Sequence, residues 1–237
     1  MAAGLIAAAV FGAGFYSFLR GNTGTPVSPV TQRPVAAQAA QREIAPIILG
    51  DSLARGAGDP TGHGIGGKLD LELKRRAIPA KRPVNIAING ARTADLLHQL
   101  ESSNVRALLS QANVVIVSIG GNDLWGGTDW RNAPPQNPEA VMNAVLDRIE
   151  RIVKIVREQN PRARIFLIGL YSPFGPQITP LVSRWNAREI ERFSSDPNVT
   201  VVQTADLFSH RDRLSADRFH PGSEGYELIA RRIADAL

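Results

Sequence analysis

Short apolar runs alternate along this chain with longer segments whose apolar positions recur every three or four residues. The runs cover 44–49, 84–88, 114–119, 165–170 and 199–202. Each is short and dominated by apolar residues, which predicts strands. Helical patterns are predicted over 67–76, 93–109, 138–158, 178–193 and 223–237. The third is the clearest, with Val141, Val145, Ile149, Ile152, Val153 and Val156 at helical spacing. Strands apolar on both faces and separated by helices imply a parallel sheet covered on each side. The fold class expected is therefore α/β, a three-layer α/β/α sandwich around a central five-stranded parallel sheet.

The first residues follow a different pattern. Residues 2–19 carry no charge and end at Arg20. As a helix rising 1.5 Å per residue, such a run just spans a hydrocarbon core of about 30 Å. No Lys or Arg precedes it, and the small-residue triplet Ala37-Gln38-Ala39 lies far behind it. Residues 1–20 are thus expected to form an N-terminal apolar helix that stays as a membrane anchor, with a cleaved signal as the alternative. Residues 21–43 are dominated by Pro, Thr, Gln and Ala and hold no large apolar side chain. Such a segment cannot bury enough surface to offset its ordering entropy and reads as a disordered tether. Residues 44–237 form the folded domain, placed outside the cytoplasm because the tether resembles those of exported domains.

Charge and composition narrow the chemistry. The net charge is +5, from 27 basic and 22 acidic residues, and +2 of it falls in residues 1–43. The longest basic runs, Lys74-Arg75-Arg76 and Arg231-Arg232, fit solvated helix faces rather than the stripe a nucleic acid requires. No cysteine is present, which excludes disulfides, thiolate zinc sites, c-type haem attachment and a cysteine nucleophile. His63, His98 and His210 have no partners at metal-ligand spacing, so neither a metal nor another cofactor is expected.

In a parallel α/β sheet the carboxyl ends of the strands share one edge. Four polar blocks fall there. Gly50-Asp51-Ser52-Leu53 follows the first strand, Asn89-Gly90-Ala91-Arg92 the second, and Gly120-Gly121-Asn122-Asp123 the third. Asp217-Arg218-Phe219-His220-Pro221 precedes the last helix. Together, in this order and spacing, the blocks resemble the SGNH or GDSL hydrolase family over the whole domain. The runs Gly-Asp-Pro-Thr-Gly at 58–62, Ile-Gly-Gly-Asn-Asp-Leu at 119–124, Leu-Ile-Gly-Leu-Tyr-Ser-Pro-Phe at 167–174 and Phe-His-Pro-Gly-Ser-Glu-Gly-Tyr at 219–226 are similar to bacterial lipase and lysophospholipase-like members.

The resemblance implies a flavodoxin-like sheet and a serine esterase or lipase working through an acyl-enzyme. It implies Ser52 as nucleophile, His220 as its base and Asp217 as the group that orients the imidazole. The oxyanion donors would be the backbone N–H groups of Ser52 and Gly90 and the side-chain amide of Asn122. Lipid or lysophospholipid acyl esters are the favoured substrates. Carbohydrate O-acetyl esters and thioesters fit the same site, and an idle binding module that keeps the fold is the reading from another class. Trp125, Trp130, Tyr171 and Phe174 lie in loops after strands three and four, and are expected either to line an apolar substrate groove or to pack beneath those loops. Ser52 alone could equally be a helix cap. The segment from Gly62 to Lys68 imitates a phosphate-binding loop but continues with Leu69, and reads better as a mobile glycine-rich loop beside the nucleophile. The oligomeric state has no signal in the sequence.

Overall fold

The computed structural model describes residue 16, residues 43–125 and residues 137–237. The chain divides into two compact units, residues 1–41 and 42–237, and the fold described here is that of the second. The expected N-terminal apolar helix, the anchor and nearly all of the tether lie outside the described residues. Among the described residues no helix is long and apolar enough to cross a membrane.

Five strands form one parallel sheet: β1 (Pro46–Gly50), β2 (Val84–Asn85), β3 (Val114–Ser118), β4 (Arg164–Ile168) and β5 (Val199–Val202). Their order across the sheet is β2-β1-β3-β4-β5. The α-helices are α1 (Ser52–Arg55), α2 (Gly64–Arg75), α3 (Thr93–Gln99), α4 (Ser103–Gln111), α5 (Gly121–Trp125), α6 (Pro138–Gln159), α7 (Thr179–Phe193) and α8 (Ser223–Asp235).

The three layers follow from the two-residue period of a strand. Ile47 and Leu49 of β1, Val115 and Val117 of β3, and Ile165 and Leu167 of β4 face one core, shared with Met142, Val145, Ile149 and Ile152 of α6. Ile48, Val114, Ile116, Phe166 and Ile168 face the other, closed by Leu69 and Leu73 of α2 and Tyr226, Ile229 and Ile233 of α8. Burying a large apolar side chain contributes about 1.5–3 kcal/mol, so helices on both faces are the stable arrangement.

Several boundaries differ from expectation. β2 pairs only through Val84 and Asn85, not over 84–88. Beyond it the backbone still donates from Ile86 and Ile88 to Ile48 and Gly50, both in β1. The helix expected over 93–109 is two, because the chain leaves α3 after Leu100 and Ser102 is extended (φ −63°, ψ 128°). Gly62 to Lys68 is not a mobile loop: α2 begins at Gly64, whose N–H donates to the Asp59 carboxylate at 2.9 Å. The basic runs are solvated but not unpaired. Arg75 and Arg76 both bind Glu72, and Arg231 and Arg232 bind Glu227 and Asp206.

Candidate active site

β1 delivers the first group. Its last residue hands over to Asp51, the cap of α1, whose carboxylate accepts from Leu53 N–H at 3.0 Å. The cap is thus Asp51 rather than Ser52, and the serine hydroxyl is left for other partners. Ser52 N–H has no hydrogen bond within the described residues. Asp51 is buried, and burial pushes its carboxyl up to about 7, against the N–H groups of Leu53 and Ala54 and with a further push from Asp123.

The turn before α8 delivers the second and third groups. Its closure is local: Ser215 N–H donates to His220 C=O at 2.8 Å, and Leu214 bridges Pro221 antiparallel. Inside the turn, Asp217 Oδ1 accepts from Ser215 Oγ at 2.6 Å, Phe219 N–H at 2.8 Å and His220 N–H at 2.9 Å. Asp217 Oδ2 lies 2.7 Å from His220 Nδ1. Burial raises this carboxyl, but the hydrogen bonds from Ser215, His220 and Phe219 outweigh it and hold Asp217 well below the usual carboxylate range. It is therefore ionised wherever His220 needs a partner. The far nitrogen, His220 Nε2, lies 2.8 Å from Ser52 Oγ.

Gly90 and Asn122 come from the ends of β2 and β3. Gly90 is exposed, with φ +76°, a left-handed conformation that favours glycine. A Cβ there would meet no protein atom within 4 Å, so the backbone angle rather than crowding accounts for the residue. Gly90 N–H has no partner within the described residues. Asn122 Nδ2 donates to Ala91 C=O at 2.9 Å, which uses one of its two amide hydrogens. One cleft is lined by Ser52, Asn122, Tyr171, Pro173, Phe219 and His220.

The structure brings Ser52, Asp217 and His220 into one hydrogen-bonded chain and puts Ser52, Asn122 and His220 on one cleft. The expected groove residues fare differently. Trp130 and the side chain of Trp125 lie outside the described residues. Tyr171 borders the cleft but is 6% exposed, and its hydroxyl donates to Phe219 C=O at 2.6 Å. Burial holds that phenol well above its usual pKa, so it stays a neutral donor. Its ring packs on Phe208 at 4.2 Å between centroids. Phe174 packs on Phe219 at 5.4 Å, and Phe219 meets His220 edge-on at 4.8 Å. Tyr171 and Phe174 thus brace the histidine turn. Among the described residues no group of acids and histidines could hold a metal ion.

Sequence reasoning missed Asp51, Ser215 and Gly58. An Asp between a strand and the serine was a cap signal in plain view. Ser215, two residues before Asp217, had the form of a local side-chain bond. Gly58 opens the run at 58–62, but nothing in that run signals its close approach to His220 and Pro221.

A hydroxyl held against an imidazole can pass its proton there as it attacks a carbonyl carbon, and free N–H donors beside it can receive the resulting oxyanion. A parallel α/β sheet with this chain of groups at its carboxyl edge defines the class of serine-dependent hydrolases. Residues 48–228 match the GDSL-like lipase/acylhydrolase family, and the chain belongs to it. It is an ester hydrolase.

Among its relatives, the uncharacterized protein YpmR of Bacillus subtilis (strain 168) is 30% identical over 202 residues, covering 80% of this chain and 79% of that protein. The spore germination lipase LipC of Bacillus licheniformis is 26% identical over 79% of this chain and 93% of that one. A similar solved fold is the lipase Lip_vut3 from a goat rumen metagenome, with TM-score 0.71 and 24% identity over 81% of this chain and 97% of that one.

Proposed function

We propose that the chain hydrolyses carboxylic esters by nucleophilic attack from Ser52, with lipid acyl esters preferred. The observation that carries this reading is the hydrogen-bonded line from Ser52 Oγ through His220 to Asp217, at 2.8 and 2.7 Å.

In the first half-reaction Ser52 Oγ forms a bond to the ester carbonyl carbon and its proton passes to His220 Nε2. The carbonyl oxygen becomes an oxyanion, met by Ser52 N–H, Gly90 N–H and the free amide hydrogen of Asn122. Collapse breaks the bond to the alkoxy oxygen, which leaves as the alcohol with the proton from His220. Water then attacks the acyl-enzyme and gives its proton to His220. The acid departs and the proton returns to Ser52 Oγ. Asp217 stabilises the imidazolium in both halves and holds its tautomer.

Three observations support lipid substrates. The cleft wall formed by Tyr171, Pro173 and Phe219 is largely apolar. The uncharged run at 2–19 would hold the domain at a bilayer. LipC is described as a lipase.

The test is hydrolysis of chromogenic acetate, butyrate, octanoate and palmitate esters by the full chain and by Ser52→Ala. Turnover that rises toward octanoate or palmitate and vanishes in Ser52→Ala is expected. Turnover confined to acetate would reassign the enzyme as a deacetylase, and turnover surviving in Ser52→Ala would overturn the serine assignment.

A further inference from the structure

Next to Asn122 in the chain, a second polar cluster joins three elements. Asp123 follows Asn122 directly in α5, and only 6% of its side chain is exposed. Its Oδ2 accepts from Thr93 N–H at 2.9 Å, and its Oδ1 accepts from Thr93 Oγ1 at 2.7 Å. Thr93 is fully buried and opens α3, three residues after Gly90. Arg148 reaches in from α6. Its Nε donates to Thr93 Oγ1 at 2.5 Å and its Nη2 to Asp123 Oδ1 at 3.0 Å. The bonds close a triangle: the threonine hydroxyl accepts from the guanidinium and donates to the carboxylate, and Asp123 Oδ1 accepts from both Thr93 and Arg148.

This connectivity has a consequence for the two donors that come from separate loops. Gly90 sits on the segment that Thr93 anchors, and Asn122 sits on the segment that Asp123 anchors. One carboxylate holds both, and Asn122 Nδ2 to Ala91 C=O is a second tie between the same loops. A carboxylate this buried and beside Asn122 would also oppose negative charge on a substrate oxygen. The Arg148 guanidinium supplies the compensating charge.

We propose that Arg148 is a positioning residue for ester hydrolysis: through Thr93 and Asp123 it fixes the spacing of Gly90 N–H and the Asn122 amide and cancels the negative charge of Asp123. This rests on the assignment of those two groups as oxyanion donors. Donors that act on charge present only in the transition state change kcat far more than KM.

The test uses the full chain and the ester that it turns over best. In Arg148→Met, kcat is expected to fall roughly 10–100-fold with KM within about twofold of the parent. Inhibition by a trifluoromethyl ketone, whose adduct on serine carries an oxyanion, should weaken by the same factor as kcat. Arg148→Lys, which keeps the charge and one donor, should recover part of both. Thr93→Val removes the bridging hydroxyl and should act like Arg148→Met, whereas Thr93→Ser should act like the parent. Should Arg148→Met fail to fold, Thr93→Val carries the same comparison. A folded Arg148→Met or Thr93→Val with unchanged kcat overturns the proposal. So does a loss of kcat without weaker inhibition, because a distortion unrelated to the oxyanion would give that result. Ser52→Ala runs alongside: activity persisting there would remove the underlying serine reading, while an inert Ser52→Ala beside a normal Arg148→Met would remove only this inference.

Discussion

At the scale of single residues, the proposed reaction needs a fixed charge beside the imidazole that moves the proton. Asp217 gathers four donors on its two oxygens. Its carboxyl is held below the usual range, so the stability it lends the turn is present above the unfolded carboxylate pKa of about 4 and is lost as pH falls through its own lower value. Replacing it by Asn reverses the bond to His220 Nδ1 and favours the wrong tautomer. Asp217→Asn is expected to lower kcat by roughly 10³–10⁴, the scale of such a change in serine proteases, with little effect on KM. Steady-state kinetics on a short ester checks this. Asn122→Ala should cost about 10²–10³ in kcat, and a KM effect in its place would show that the amide binds ground-state substrate.

At the scale of elements, the histidine turn depends on a loop far away in sequence. Gly58, between α1 and α2, has φ +88°, and a Cβ there would lie 2.7 Å from His220 Cβ and 2.8 Å from Pro221 C=O. Gly58→Ala must therefore displace the turn or strain the loop. The expected result is a lower melting temperature together with a loss of kcat, since Nε2 moves off the serine hydroxyl. A variant with unchanged kcat would show that the loop yields alone. The elements themselves were largely readable in the sequence. β5 was found to the residue, because Val199 to Val202 follows the turn signal Asp196-Pro197-Asn198 and stops at the polar Gln203. β3 and β4 were within two residues of their observed ends. The break between α3 and α4 was missed because Leu96, Leu97, Leu100 and Val105 fit one helical face across it. The polar blocks were legible because each is local. The Thr93, Asp123 and Arg148 cluster was not, since its members are separated by 30 and 25 residues and meet only in the folded chain.

At the scale of the whole molecule, the described residues leave buried polar atoms of Trp185, Glu189 and Gln203 unpaired, and one of these belongs to a titratable group. Glu189 of α7 is 2% exposed, and its Oε2 has no partner within the described residues. Burial pushes its carboxyl up to about 8 from an ordinary 4.5. Between those values the folded protein holds a proton that the unfolded chain has released, so this residue makes stability decline as pH rises across that window. Glu189→Gln should match the parent at pH 4.5 and gain melting temperature progressively up to pH 8, as thermal unfolding at several pH values would read; a constant offset would refute the titration. The sheet's order has a different kind of consequence. Ser52 follows the first strand, while the imidazole that bonds it arrives 168 residues later, just ahead of the final helix. Until residue 220 has been synthesised, the Ser52 hydroxyl therefore has no imidazole beside it. On the proposed function, turnover can begin only once that sequence-distant contact has closed, so its onset during translation would time the docking of the histidine turn onto β1.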